Sequence, residues 1–151
     1  MRTAKLIATC LGIGYIRKGA GTVAAAVCCV VWYLLAKEGV NLWIALTTLV
    51  VLFFAGVWCA NTVESQWGED SNRVVIDEWF GMSVSLVMAP VTWQYILLAF
   101  LLFRFFDIAK PLYIRRAEQL PNGWGVMADD LLAALYSGVL LLTASKTGLF
   151  L

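Results

Sequence analysis

The stretch Leu42–Thr62, LWIALTTLVVLFFAGVWCANT, carries no charged residue. A helix needs about 20 apolar residues to cross the hydrocarbon core of a bilayer. This run has that length, so it predicts a transmembrane helix. The whole chain has the same character. Hydrophobic residues make up 62% of its 151 positions, charged residues 14%, and mean hydropathy is +0.82. Soluble domains hold roughly 45–50% apolar and about 25% charged residues. The length suits one domain, residues 1–151. The expected fold class is all-α: a polytopic integral membrane helical bundle.

On the N-terminal side of that stretch, Thr22–Ala36 is apolar and rich in small residues, and predicts another span. Lys37-Glu38-Gly39-Val40-Asn41 reads as the turn between the two. Leu6–Ile16 is too short to span and predicts an interfacial or partly inserted helix. It has no convincing cleavage site and runs straight into Arg17 and Lys18, so it is expected to be retained rather than removed as a signal peptide. On the C-terminal side, Glu64–Arg73 is polar and predicts a surface loop, with or without a frayed helical start. Asp77–Ala89 predicts a short helix that Asp77 caps or opens. Trp93–Ile108 returns through the membrane, and Pro111 stops or bends it. Leu112–Gln119 is basic and amphipathic. Pro121-Asn122-Gly123-Trp124-Gly125 reads as a loop, and Val126–Thr143 as the last span.

Cytoplasmic loops carry an excess of Lys and Arg. Arg2, Lys5, Arg17 and Lys18 place the N-terminus inside, and Lys110, Arg115 and Arg116 place the loop after Trp93–Ile108 inside. Together they imply about five crossings, with the C-terminus outside. Asp77–Ala89 reaches only about 20 Å at 1.5 Å per residue. It must be buried among its neighbours or sit where the bilayer thins. Gly21, Asp77, Asp107, Asp129 and Asp130 then all fall at cytoplasmic helix ends, in one layer.

The chemistry available to that layer is narrow. The chain has no histidine, which removes histidine phosphotransfer, histidine metal sites and Ser-His catalysis. Cys10, Cys28, Cys29 and Cys59 lie in apolar runs without metal-ligand spacing and read as small buried hydrophobes. A net charge of +1 offers no field for nucleic acid. What remains is carboxylates and cations. Asp77-Glu78 and Asp129-Asp130 are adjacent pairs in apolar surroundings, poor candidates for a solvated face. Helix capping is the plainer reading, and serves Asp77-Glu78 better than Asp129-Asp130. Arg104, Asp107 and Lys110, spaced by three, share one face of a helix. Carboxylate oxygens suit Mg²⁺, and Arg or Lys beside them supply the parts for phosphoryl chemistry. Arg115 and Arg116 fit positive-inside anchoring or anionic headgroups. Glycine-rich Gly12–Thr22 offers backbone amides for phosphate, without the ending of a nucleotide P-loop. The tryptophans read as interfacial belt or core.

Three blocks carry a family resemblance. Val75-Ile76-Asp77-Glu78-Trp79-Phe80-Gly81-Met82, Phe103-Arg104-Phe105-Phe106-Asp107-Ile108-Ala109-Lys110-Pro111 and Gly123-Trp124-Gly125-Val126-Met127-Ala128-Asp129-Asp130 resemble, in order and spacing, the blocks of phosphatidylglycerophosphatase A, a bacterial membrane lipid phosphatase family. The N-terminal block departs from the pattern. Gly21 and Thr22 are kept, Ala20 replaces a proline, Ala24 and Ala25 replace glycine and serine, and Arg17 replaces another proline.

The resemblance implies Mg²⁺-dependent hydrolysis of phosphatidylglycerophosphate to phosphatidylglycerol and phosphate, for phospholipid biosynthesis at the cytoplasmic side of the bacterial inner membrane. Metal ligands are expected among Asp77, Glu78, Asp107, Asp129 and Asp130, with catalysis by Asp77, Asp107 and Asp130. Arg104, Lys110, Arg115, Gly21 and Thr22 are expected to bind the phosphate. Attack by water and attack by a carboxylate both remain open. The alternative is a cation transporter or channel built on the same carboxylates.

Overall fold

The computed structural model describes residues 1–69 and 71–150, so Asp70 of the polar loop lies outside it. The described residues form seven α-helices and one 3₁₀ turn, with no strand. They are α1 (Arg2–Ala8), the 3₁₀ turn (Ile13–Tyr15), α2 (Ala20–Ala36), α3 (Leu42–Trp67), α4 (Ile76–Val87), α5 (Trp93–Ala109), α6 (Ile114–Ala117) and α7 (Gly123–Lys146).

Local chemistry sets most of these bounds. Asn41 Oδ1 accepts from the amides of Trp43 (3.0 Å) and Ile44 (3.3 Å), which starts α3. Gly68, in the left-handed region, ends it. α5 ends where Lys110 turns to positive φ ahead of Pro111, which has no N–H to continue the ladder. Six helix hydroxyls are satisfied within their own helix. Thr47, Thr48, Thr62, Ser83, Ser137 and Thr143 each donate to the carbonyl four residues back at 2.7–2.9 Å, as an environment without water demands.

α4 is the axis of the bundle. It packs against α7, α2, α3 and α5, and Phe80 through Leu86 are buried without a break. Burial inside the bundle is therefore how so short an apolar helix is accommodated. Gly81 makes this possible. A Cβ there would meet Phe103 Cε2 of α5 at 2.6 Å and the Asp130 carbonyl of α7 at 3.0 Å. The outer helices turn large apolar side chains outward, among them Val30, Leu35, Ile44, Val51, Phe54, Leu101, Phe105 and Val139. So broad an exposed apolar surface is what lipid would cover. Two helices, α3 and α7, are long and apolar enough to cross a membrane, and α2 is a shorter apolar helix.

The structure departs from the sequence expectations in two places, between α1 and the 3₁₀ turn and at the start of α7. Leu6–Ile16 is not one helix. Cys10, Leu11 and Gly12 all have positive φ, which breaks the chain between α1 and the 3₁₀ turn. The break lets the Val75 amide donate to the Ala8 carbonyl at 2.8 Å, tying α1 to the start of α4. α3 runs on to Trp67, which gives the expected loop its helical start. The basic stretch holds the short α6. α7 starts at Gly123, inside the expected loop, because the Gly123 amide donates to Asn61 Oδ1 at 2.6 Å. Gly123 and Gly125 serve close approach there, since a Cβ at either would meet a backbone carbonyl at 2.5–2.6 Å.

Candidate active site

Asp77 and Glu78 occupy the first turn of α4. Asp130 lies about two turns into α7, where Gly81 lets α4 and α7 approach. One carboxylate oxygen from each of Asp77, Glu78 and Asp130 lies within 4.8 Å of the other two. Asp77 Oδ1, Glu78 Oε2 and Asp130 Oδ2 are buried and accept no hydrogen bond. A buried ionised oxygen without a partner is costly. Three together call for a cation, and an all-oxygen donor set suits Mg²⁺.

Asp107, in the last turn of α5, stands beside this group, its charge acting on both Asp130 and Glu78. It forms an ion pair with Arg104 one turn earlier. Arg104 Nε is also buried and has no partner. The start of α2 closes the site from another side. A Cβ on Gly21 would collide with the Glu78 carboxylate, so a larger residue there would push that carboxylate out of its place. No side chain caps this helix, and the Val23 amide is the first to find a helical carbonyl, that of Gly19. The positive end of the α2 dipole therefore faces Glu78.

Asp129 is placed differently from Asp130. Its Oδ2 accepts from Lys110 Nζ at 2.8 Å and its Oδ1 from the Asp130 amide at 2.9 Å, so both oxygens are engaged. Lys110 also donates to Glu118 Oε1 at 2.7 Å. Burial alone would lower the lysine's pKa, but its bonds to Asp129 and Glu118 outweigh that and hold it above the usual lysine range. A cavity of about 130 Å³, lined in part by Glu64, Glu118, Asn122 and Asp129, opens on this side.

The residues singled out in the sequence thus divide. Asp77, Glu78 and Asp130 come together, with Asp107, Arg104 and Gly21 around them. Lys110 and Asp129 form a separate pair next to the cluster. Thr22 and Arg115 are exposed, and among the described residues neither side chain has a hydrogen bond or ion pair. Glu118 and Asn61 were not legible. Glu118 reaches Lys110 across the Pro111 turn, and Asn61 reaches Gly123 from another helix, so no spacing rule connects either pair.

A family model described as "Phosphatidylglycerophosphatase A" matches residues 6–145. A Bacteroides thetaiotaomicron protein named "Putative phosphatidylinositol-3-phosphatase" is 41% identical over 92% of this chain and 91% of its own length. Proteins named "Phosphatidylglycerophosphatase A" from Haemophilus influenzae and Escherichia coli are 40% and 30% identical. The first match covers 87% of this chain and 82% of the relative, and the second 90% and 80%. No solved structure matches the chain.

Proposed function

The chain belongs to the phosphatidylglycerophosphatase A family, and on that premise we propose that it is a Mg²⁺-dependent lipid phosphatase. It hydrolyses phosphatidylglycerophosphate to phosphatidylglycerol and phosphate in phospholipid biosynthesis. The observation that carries the Mg²⁺ assignment is that Asp77, Glu78 and Asp130 each bring a carboxylate oxygen within 4.8 Å of the other two and each bury an oxygen that has no hydrogen-bond partner.

Asp77, Glu78 and Asp130 would hold the ion, with Asp107 at its edge. When bound, Mg²⁺ shields the phosphate charge and acidifies a coordinated water. Arg104, with its free Nε, and the uncapped amides opening α2 receive the phosphate oxygens. Asp107, ion-paired with Arg104, accepts the proton of the attacking water. The new O–P bond forms as the P–O bond to the lipid glycerol breaks, and the released alcohol oxygen takes up a proton from solvent while Asp107 returns its own to solvent. Lys110, committed to Asp129 and Glu118, acts by fixing the Asp129-Asp130 turn against α5 and α6.

The membrane arrangement in this reading has about five crossings, α2 to α5 and α7. α1 lies at the interface, the N-terminus and carboxylates face the cytoplasm, and the C-terminus lies outside. The support is the distribution of Lys and Arg and the apolar exterior. The bacterial inner membrane is the compartment this implies.

A second substrate has a specific observation behind it. The Bacteroides relative is named for a phosphatidylinositol 3-phosphate activity, which asks the same chemistry of a different head group. Phosphate release by purified protein from phosphatidylglycerophosphate, phosphatidylinositol 3-phosphate and phosphatidic acid, with and without Mg²⁺, separates these readings. Mg²⁺-dependent release that favours phosphatidylglycerophosphate is expected. Preference for another head group would replace the substrate and keep the chemistry, and release from none would end the proposal.

A further inference from the structure

α2 and α3 are consecutive apolar helices joined by a short turn. Such pairs normally pack side by side. Here they barely touch, and both pack instead on α4. The space between them is a groove of about 410 Å³, floored by α4, within the roughly 300–1,000 Å³ of ligand pockets. We propose that this groove holds one acyl chain of the lipid substrate, an inference that rests on the lipid phosphatase reading.

Continuity with the carboxylate cluster is the first argument. The α4 floor is Trp79, Ser83 and Val87, one face of the helix, and Trp79 directly follows Glu78. The groove floor therefore starts in the same helical turn of α4 that carries Asp77 and Glu78. Its walls span Cys28 to Ala36 on α2 and Ile44 to Leu52 on α3. Eight residues of helix rise about 12 Å, and one leaflet of hydrocarbon is about 15 Å deep, half of roughly 30 Å. A chain attached to a head group at the cluster would lie along that length.

The second argument is a polar atom that the protein leaves alone. Trp32 Nε1 is buried without an acceptor, and Trp32 lines the groove. Helix side chains lean toward their N-terminus, so the indole of Trp32 leans back toward the site. A diacylglycerol ester carbonyl is an acceptor at the boundary between head group and chain. The other polar groups at that end already have partners: Cys28 Sγ lies 3.3 Å from Ser83 Oγ and 3.6 Å from the Trp79 carbonyl. Bulk lipid has no reason to prefer this groove, whereas a lipid held at the cluster by its phosphate does.

The test uses the full chain in micelles and two readouts. Phosphatidylglycerophosphate carrying a mid-chain diazirine is photolysed on the protein and the labelled peptides are mapped. Labels are expected on the facing walls of α2 and α3, displaced by unlabelled substrate at about tenfold lower concentration than by phosphatidylcholine. Thr48 is exposed, lines the groove and bonds only the carbonyl of Ile44 in its own helix. Thr48→Trp should lower kcat/KM for the dioleoyl substrate about tenfold, through KM, and leave turnover of the deacylated head group within about twofold. Trp32→Phe should weaken the label in the same way. Equal displacement by phosphatidylcholine, labels elsewhere, or equal loss on both substrates would overturn the groove assignment. Labelling as described without phosphate release would overturn the phosphatase and leave the groove standing.

Discussion

Replacing Lys110 with Met removes a cation that two carboxylates share. The Asp129 side chain is 8% exposed, Lys110 23% and Glu118 38%. Deleting one partner of a buried ion pair costs about 3–5 kcal/mol, because the other charge stays behind. Lys110 is partly open to solvent, so the lower end, about 3 kcal/mol, applies. The more exposed bond to Glu118 contributes at most about 1 kcal/mol. For a chain of this size 1 kcal/mol shifts Tm by about 2–4 °C. Lys110→Met should therefore lower Tm by about 6–12 °C in micelles, and Glu118→Gln by no more than about 4 °C. Adding Asp129→Asn to Lys110→Met should restore most of the loss, with a coupling of about 2 kcal/mol in the double-mutant cycle. The KM for lipid should move less than about threefold. The contrary result is a Tm within about 1 °C of the wild type and a KM raised about tenfold or more. That would make Lys110 a ligand of the substrate phosphate, as its place beside Arg104 and Asp107 first suggested, and would refute the pairing argument.

Other substitutions probe the walls of the site. Gly21→Val puts a branched side chain into the Glu78 carboxylate, so phosphate release should fall about 100-fold with helical circular dichroism unchanged. Asn61→Ala removes the acceptor of the Gly123 amide and should cost about 1 kcal/mol, measured as a Tm drop of about 2–4 °C. Arg104→Lys keeps the charge but loses the second donor face. It should lower kcat/KM about tenfold or more on every phosphomonoester lipid, in a steady-state assay.

What the sequence made legible was governed by local pattern. Leu42–Thr62 and Trp93–Ile108 are apolar over their full lengths, and their helices start at the expected residues. Asp77-Glu78 and Asp129-Asp130 stood out because paired acids in apolar runs have few bland explanations. Long-range contacts decided the rest. Gly123 and Gly125 look like loop residues in one dimension, yet they are helical because Val57, Asn61, Glu118 and Leu120 crowd them. Asp129 and Asp130 are equivalent in sequence, but about 100° of helix rotation per residue sends one to Lys110 and the other to Asp77 and Glu78. The separation of α2 from α3 is invisible in either helix alone, because it follows from how both lie on α4.

The central claim is that Asp77, Glu78 and Asp130 hold the ion that hydrolysis requires. Its most direct test is phosphate release from phosphatidylglycerophosphate, titrated with Mg²⁺ after chelation, for the wild type and for Asp130→Asn checked to fold normally. The account predicts no release from the chelated wild type, recovery on adding Mg²⁺, and a loss of about 1,000-fold or more in the variant at any Mg²⁺ concentration. Full turnover without a divalent ion, or normal turnover by Asp130→Asn, would contradict it.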